Sequence, residues 1–310
     1  MTREALPQGG KTADLNGPPD PAVVPPQDGP TDRGLAAGSV WSSGPFEVLA
    51  LLDASGPFFL DRQGAFPAAT PAAWERARAL DPGAFGPDLG WDLDFRCFAV
   101  LGPGGHTMIV DTGVGPADGP AAAWAPVPGR LPERLAAAGI NPPDVDTVLL
   151  THLHQDHIGW SVGADGAPLF RNARYVVQRA ETAALADGDT TLEHTVTPLR
   201  AAGQLDEIDG STVLAGGAGG RIRAMATPGH TPGHQSVLVD SGAGQLIVTG
   251  DVLVHAVQLT DPEVAYHFEA DPDLARATRQ VLLAEAARTR AVLATPHLRR
   301  PFVDVPGRTT

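Results

Sequence analysis

Nine consecutive residues constrain this chain more than any other feature: Thr151-His152-Leu153-His154-Gln155-Asp156-His157-Ile158-Gly159. Imidazole nitrogen and carboxylate oxygen are both good donors to divalent zinc, manganese or iron. In an extended segment His152 and His154 point to the same side and can converge on one ion. A turn after them would let Asp156 and His157 face a second. The apolar run Val145 to Leu150 just before reads as a buried strand, which places the histidines on a loop at a sheet edge, where functional groups usually sit. A fold for this chain must therefore bring further donors to that edge.

Further donors recur in similar settings. Thr227-Pro228-Gly229-His230-Thr231-Pro232-Gly233-His234 follows the expected strand Arg221 to Ala226 and offers two histidines on a rigid turn. Thr249-Gly250-Asp251 ends an apolar strand with a carboxylate able to bridge two ions, and Ala294-Thr295-Pro296-His297 ends another with an imidazole. Each alone is weak evidence, but their shared position at strand ends joins them into one set.

His152-Leu-His154-Gln-Asp156-His157, His230, Asp251 and His297 together resemble the ligand set of the metallo-β-lactamase-fold hydrolases, and the resemblance runs from about Phe46 to the C-terminus. Within that superfamily the TPGHTPGH turn and the region after Asp251 look like the acyl-homoserine lactonase and methyl-parathion-hydrolase-like branches. The resemblance implies an α/β (α+β) fold, a four-layer αββα sandwich holding two divalent metal ions per chain, usually Zn2+. It assigns His152, His154 and His230 to the first ion and Asp156, His157 and His297 to the second, with Asp251 bridging. It gives the ligand role in the turn to His230 and a structural role to His234. Asp111, in Ile109-Val110-Asp111-Thr112-Gly113, matches another family signature, and its expected role is to orient ligands or the motif loop by hydrogen bonding.

The implied reaction is hydrolysis by a hydroxide shared between the ions, since two divalent charges depress the pKa of water steeply. Asp156 or Asp251 would shuttle a proton to the leaving group. The first substrate reading is a small ester-like molecule, a lactone. A phosphotriesterase or arylesterase of the same fold is the alternative, followed by a catalytically silent metal-binding protein. Gly159-Trp160-Ser161-Val162-Gly163 fits the string of a serine nucleophile elbow, but it lacks a strand directly before it and a helix directly after. Cys97 lies within an expected strand with no activating partner in the sequence. Trp160, His255, His267 and the stretch from Asp251 to Phe268 are candidates for the pocket wall, and Phe58, Phe59, Trp74 and Trp91 for its mouth or for the core.

Around this centre, short apolar runs alternate with turn residues. Strands are expected at Phe46 to Leu52, Leu93 to Leu101, Thr107 to Val110, Ala173 to Val177, Ser211 to Leu214, Gln235 to Asp240, Gln245 to Thr249 and Ala291 to Ala294. Helices are expected at 72–80, 131–138 and 271–290, the last with Leu274, Ala277, Val281 and Ala284 at helical spacing. Residues 1–44 hold seven prolines and seven glycines with few large apolar residues before Trp41. They read as a flexible arm, either dispensable or clasping a homodimer, ahead of a hydrolase domain at 45–310.

Net charge is −14, which repels phosphate backbones and anionic lipid, so no nucleic-acid or membrane partner is expected beside a small-molecule substrate. The chain has no apolar run of membrane-spanning length, its start has no apolar stretch of signal-peptide length, and Cys97 is its single cysteine. A cytoplasmic location is the expectation.

Overall fold

The computed structural model describes residues 38–306 apart from residue 218. One sheet runs in chain order through β1 (Val40–Ser43), β2 (Phe46–Pro57), β3 (Asp92–Leu101), β4 (Thr107–Val110), β5 (Thr147–Leu149), β6 (Arg174–Gln178) and β7 (Leu205–Ile208). Its first four strands are antiparallel, and β4 to β7 are parallel. The second sheet holds β8 (Thr212–Gly217), β9 (Gly220–Ala226), β10 (Gln235–Asp240), β11 (Gln245–Val248), β12 (Val292–Ala294) and β13 (Phe302–Val303), in the order β13-β12-β11-β10-β9-β8. The α-helices are α1 (Arg62–Ala65), α2 (Pro71–Leu80), α3 (Leu131–Ala137), α4 (Gln155–Ile158), α5 (Arg179–Ala184), α6 (Thr197–Ala201), α7 (Ala256–Thr260) and α8 (Pro272–Thr289).

Alternation along the strands explains the layering, because successive side chains leave opposite faces of a sheet. Phe46, Val48 and Ala50 of β2 meet Val237 and Val239 of β10 and Val248 of β11 in the layer between the sheets. Leu49 and Leu51 point the other way and pack with Leu131 and Leu135 of α3 and Leu199 of α6. On the far side, Leu238 and Ile247 pack with Ala73 and Ala77 of α2, Val257 of α7 and Leu282, Leu283 and Ala286 of α8. Three apolar layers separate four layers of secondary structure, which is the expected αββα sandwich.

The expected strands are present, and the pairs β8–β9 and β10–β11 are antiparallel as the glycine clusters suggested. One expectation is corrected. Val40–Ser43, assigned to the arm, is an edge strand in register with β2, so the folded body begins earlier than residue 45. Residues 1–37 lie outside the described residues. Helix α8 spans the expected residues with Asp271 as its N-cap, and the face it turns inward is not the one marked by Leu274, Ala277, Val281 and Ala284. Ala275, Arg279, Leu282, Leu283 and Ala286 are buried, while Leu274 and Val281 stand 41% and 71% exposed. The helix carries two apolar stripes, and periodicity alone could not say which one the sheet would take. The buried stripe includes Arg279, which is tolerated because Glu269 lies 2.7 Å from its guanidinium. Among the described residues no helix is long and apolar enough to cross a membrane.

Candidate metal centre

All seven expected donors meet at one end of the sandwich. His152 and His154 follow β5, Asp156 and His157 lie in α4, His230 lies between β9 and β10, and Asp251 and His297 follow β11 and β12. Donor atoms of His152, His154, His230 and Asp251 lie within 4.8 Å of one another, and those of Asp156, His157 and His297 form a second such group. Asp251 faces both. Its Oδ2 is 3.3 Å from His230 Nε2 and 3.8 Å from His152 Nε2, and its Oδ1 is 3.2 Å from His297 Nε2 and 3.3 Å from His157 Nε2. His154 Nδ1 completes the first group at 2.9 Å from His152 Nε2 and 3.0 Å from His230 Nε2.

Hydrogen bonds at the rear of the rings decide which nitrogen faces inward. Asp111, at the end of β4, takes the backbone N–H and hydroxyl of Thr151 at 2.7 and 2.8 Å. Its Oδ2 also lies 2.8 Å from His157 Nδ1. The Thr151 hydroxyl lies 3.1 Å from His152 Nδ1 and, being a donor to Asp111, is left to accept from that ring. His297 Nδ1 donates to the Asp94 carbonyl at 2.9 Å. Each of these three rings is thereby left with Nε2 toward the centre. Asp111 itself adopts φ +61°, a conformation that Asp tolerates better than most residues.

Two observations test whether this donor set fits divalent metal. His157 Nε2 and Asp251 Oδ1 are buried with no hydrogen-bond partner among the described residues, a condition that ordinarily costs about 1–3 kcal/mol per group. The charge pattern also suits cations. Burial pushes the pKa of His152, His154 and His230 down, keeping them in the neutral form that donates a lone pair. Burial acts the same way on His157 and His297, but there the neighbouring carboxylates, Asp251 foremost, outweigh it and favour positive charge. Asp251 is also buried, yet the His157 and His297 rings hold its carboxyl well below the usual range. The donors fit metal.

His234 does not join them. Its Nε2 accepts the Asp251 backbone N–H at 2.9 Å, and its Nδ1 is engaged by Thr227 at 2.9 Å, so the ring ties the Asp251 turn to the start of its own turn. Burial lowers its pKa to about 4. Gly229 and Gly233 of the same turn are required by close approach. A Cβ on Gly229, at φ +131°, would lie 2.3 Å from the Ala275 backbone, and one on Gly233 would lie 2.6 Å from that of Glu181.

A cavity of about 440 Å³ opens over the donors. Phe58, Phe59, Trp124 and Phe268 form a mutually packed aromatic wall, with ring centroids 5.8–6.4 Å apart across it. Leu93, Val254 and Tyr266 continue the lining, and Gln155, Asp189, Thr190 and Thr191 supply its polar side. Tyr266 stacks on His230 with 6.0 Å between centroids and 12° between planes. Burial, reinforced by Asp251 and Asp156, raises its phenol well above the usual pKa, so it remains a donor at neutral pH.

Several wall candidates lie elsewhere. Trp160 packs in the layer between the first sheet and its helices and donates to Asp53 Oδ1 at 3.1 Å. His255 is enclosed by Phe66, Trp74, Phe85 and Trp91. His267 is exposed and does not line the cavity. Trp91 is a core residue and Trp74 packs half-buried against the core, whereas Phe58 and Phe59 do shape the mouth. Neither nucleophile candidate reaches the cavity. Ser161 is fully buried against Thr112 Oγ1 at 2.9 Å, and burial raises the Cys97 thiol well above its usual pKa. Of the expected stretch from Asp251 to Phe268, Asp251, Val254, Tyr266 and Phe268 do line the cavity, whereas Trp124 carried no sequence signal that separated it from other aromatic residues.

Comparison with known proteins agrees with this geometry. The model of the metallo-beta-lactamase superfamily matches residues 96–297. An N-acyl homoserine lactonase of a Bacillus species is 32% identical over 123 residues, 39% of this chain and 44% of that protein. The chain thus spans less than half the length of that relative. The N-acyl homoserine lactonase AttM of Azorhizobium caulinodans is 29% identical over 235 residues, 67% of this chain and 82% of that protein. In three dimensions, the hydrolase AbOPH superposes with TM-score 0.70 at 23% identity, over 87% of this chain and 97% of that one. The dizinc quorum-quenching lactonase AidC does so with TM-score 0.67 at 21% identity, over the same shares. With its donors gathered at the strand ends of an αββα sandwich and well over half of its length matched by the family model, the chain belongs to the metallo-beta-lactamase superfamily.

Proposed function

We propose that this protein is a dinuclear metal hydrolase of small, neutral, ester-like substrates, and that a lactone with an apolar tail is its substrate class. The observation that carries the reading is the position of Asp251, with one carboxylate oxygen toward each histidine group. His152, His154 and His230 would hold one ion and Asp156, His157 and His297 the other, zinc being suited to this nitrogen-rich set. Two such ions supply a nucleophile from water near neutral pH and Lewis acidity toward a carbonyl oxygen.

The chain's own residues do the rest. The aromatic wall binds the apolar part of the substrate and keeps bulk water from it. Tyr266, protonated and over His230, donates a hydrogen bond to a substrate oxygen. Both catalytic candidates border the cavity, and Asp156 is the better proton carrier because its side chain is 11% exposed against 6% for Asp251. Neither Lys nor Arg lines the cavity among the described residues, which disfavours doubly charged phosphate monoesters. Relatives bearing the name N-acyl homoserine lactonase support the lactone reading.

The same aromatic wall suits an aryl leaving group, which makes an arylesterase or phosphotriesterase the second reading. Metal analysis together with a panel of lactones, aryl esters and phosphotriesters tests both. Close to two divalent ions per chain and highest kcat/KM on apolar-tailed lactones are expected. A single ion in a metal-saturated, active enzyme would end the dinuclear reading. A phosphotriester turned over more than about tenfold better than every lactone, about 1.4 kcal/mol in transition-state binding, would put the second reading in place of the first.

A further inference from the structure

Glu181 lies outside the donor set and outside the cavity lining, yet it touches both loops that carry the first donor group. It sits in the first turn of α5 and is buried. Its Oε2 accepts the backbone N–H of Leu153, between His152 and His154, at 3.1 Å. Its Oε1 accepts the backbone N–H of Gly233, in the turn that presents His230, at 2.7 Å. The roots of the same two segments are also joined, by Gln235 N–H to the Thr151 carbonyl and Gln235 Nε2 to the Leu150 carbonyl, each at 2.8 Å. Gly233 leaves the space that lets α5 come this close.

We infer that Glu181 is a positioning residue for the first metal ion, one carboxylate that sets the spacing between the His152/His154 loop and the His230 turn. The inference rests on the hydrolase reading above. The two loops come from different sheets, β5 in one and β9–β10 in the other, so the strand ladders do not fix their separation. A charged acceptor shared by two amide donors is stronger and shorter than a neutral one, and it spans the gap in a single group. Among the described residues, the Asp156, His157 and His297 group makes no hydrogen bond to Glu181, which accepts from Leu153 and Gly233. It is held instead by Asp111 and by the Asp94 carbonyl. Removing the Glu181 charge should therefore separate the two ions' affinities.

The test is a zinc titration of wild-type protein and of Glu181→Gln, read by competition with a chromophoric chelator. Amide hydrogen exchange is measured on the metal-free forms. Gln keeps the shape but turns an NH2 group toward one of the two amide donors. One of two zinc ions is expected to bind about 10–100-fold more weakly, as follows loss of supporting partners at metal sites, with the other unchanged. The amides of Leu153 and Gly233 should exchange faster in the variant. Equal weakening at both sites, or wild-type affinity at both, overturns the inference while leaving the hydrolase reading in place. If wild-type protein takes up no zinc, both fall. Should Glu181→Gln fail to fold, Gly233→Ala is the second variant. It displaces α5 without removing a charge and is expected to weaken the same single ion; two intact sites there would overturn the inference.

Discussion

Asp111 holds Thr151 by two hydrogen bonds, from the backbone N–H at 2.7 Å and from the hydroxyl at 2.8 Å. The two residues follow β4 and β5, parallel neighbours, so the pair fixes the direction in which the donor loop leaves the sheet. The same carboxylate engages His157 Nδ1 and so sets the tautomer of a ring in the second donor group. Asp111→Asn can still accept at one oxygen but loses the charge that orients His157. We expect metal affinity at the second site to fall about 10–100-fold with the fold retained. Calorimetric or chelator titration checks it, and an unchanged second site would show that strand pairing alone orients the loop.

His230 and His234 are separated by their partners. His230→Ala is expected to lower metal content and turnover by orders of magnitude. His234→Ala should chiefly destabilise the Asp251 turn, by about 1–3 kcal/mol for a buried hydrogen-bonding group. Metal analysis and denaturant melts on both variants decide this, and equal metal loss would mean the donor assignment is wrong.

Tyr266→Phe removes a phenol from the cavity and keeps its ring against His230. Metal content should stay at the wild-type level while kcat falls by about 10–100-fold, somewhat less than the loss of a dedicated oxyanion donor. Unchanged kcat would remove the phenol from the reaction.

His255 should make the folded state acid-sensitive. Burial, with a smaller contribution from Arg62, lowers its pKa to about 3, whereas the unfolded chain has the ordinary 6.5. Between those values the unfolded state binds the proton and the folded state does not, so stability is full above 6.5 and falls as pH drops toward 3. The slope from this group is at most about 1.4 kcal/mol per pH unit. Denaturant melts of His255→Gln against wild type should show a shallower decline across that window. Parallel curves would place the acid sensitivity in other groups.

Truncation tests where the folded body begins. We propose that removing residues 1–37 leaves the melting temperature and kinetics almost unchanged, while removal through Ser43 lowers the melting temperature. The second deletion takes Trp41 from the inter-sheet layer and uncovers β2 along its paired edge. Thermal melts and size-exclusion profiles of both forms check it, and a change in oligomeric state on the first deletion would favour an arm that clasps a second copy.

Local chemistry made the donors legible in the sequence. Histidines and aspartates are costly to gather without a use, and each stands just past an apolar run whose alternation or burial marks a strand. That marks the residues that the structure brings together at one end of the fold, while the sandwich, the grouping of the donors and the supporting parts expected of Asp111 and His234 came from the resemblance those motifs carry. Tertiary structure decided what depends on residues distant in the chain. Val40–Ser43 is a strand because β2 offers an edge, which four residues beside a proline-rich stretch could not announce. Of the two stripes on α8, the sheet took the one whose Arg279 finds Glu269, a pairing invisible to helical periodicity. Trp160 and His255 stand close in sequence to the donors yet point into the core, while Phe58, Phe59 and Trp124 come from far upstream to face the cavity. Glu181 gave no signal, because a helix-borne glutamate looks the same in sequence whether it faces water or two buried amides. Proximity along the chain constrains a backbone for only a few residues. Which side chains share a cavity is set by how the two sheets and their helices pack.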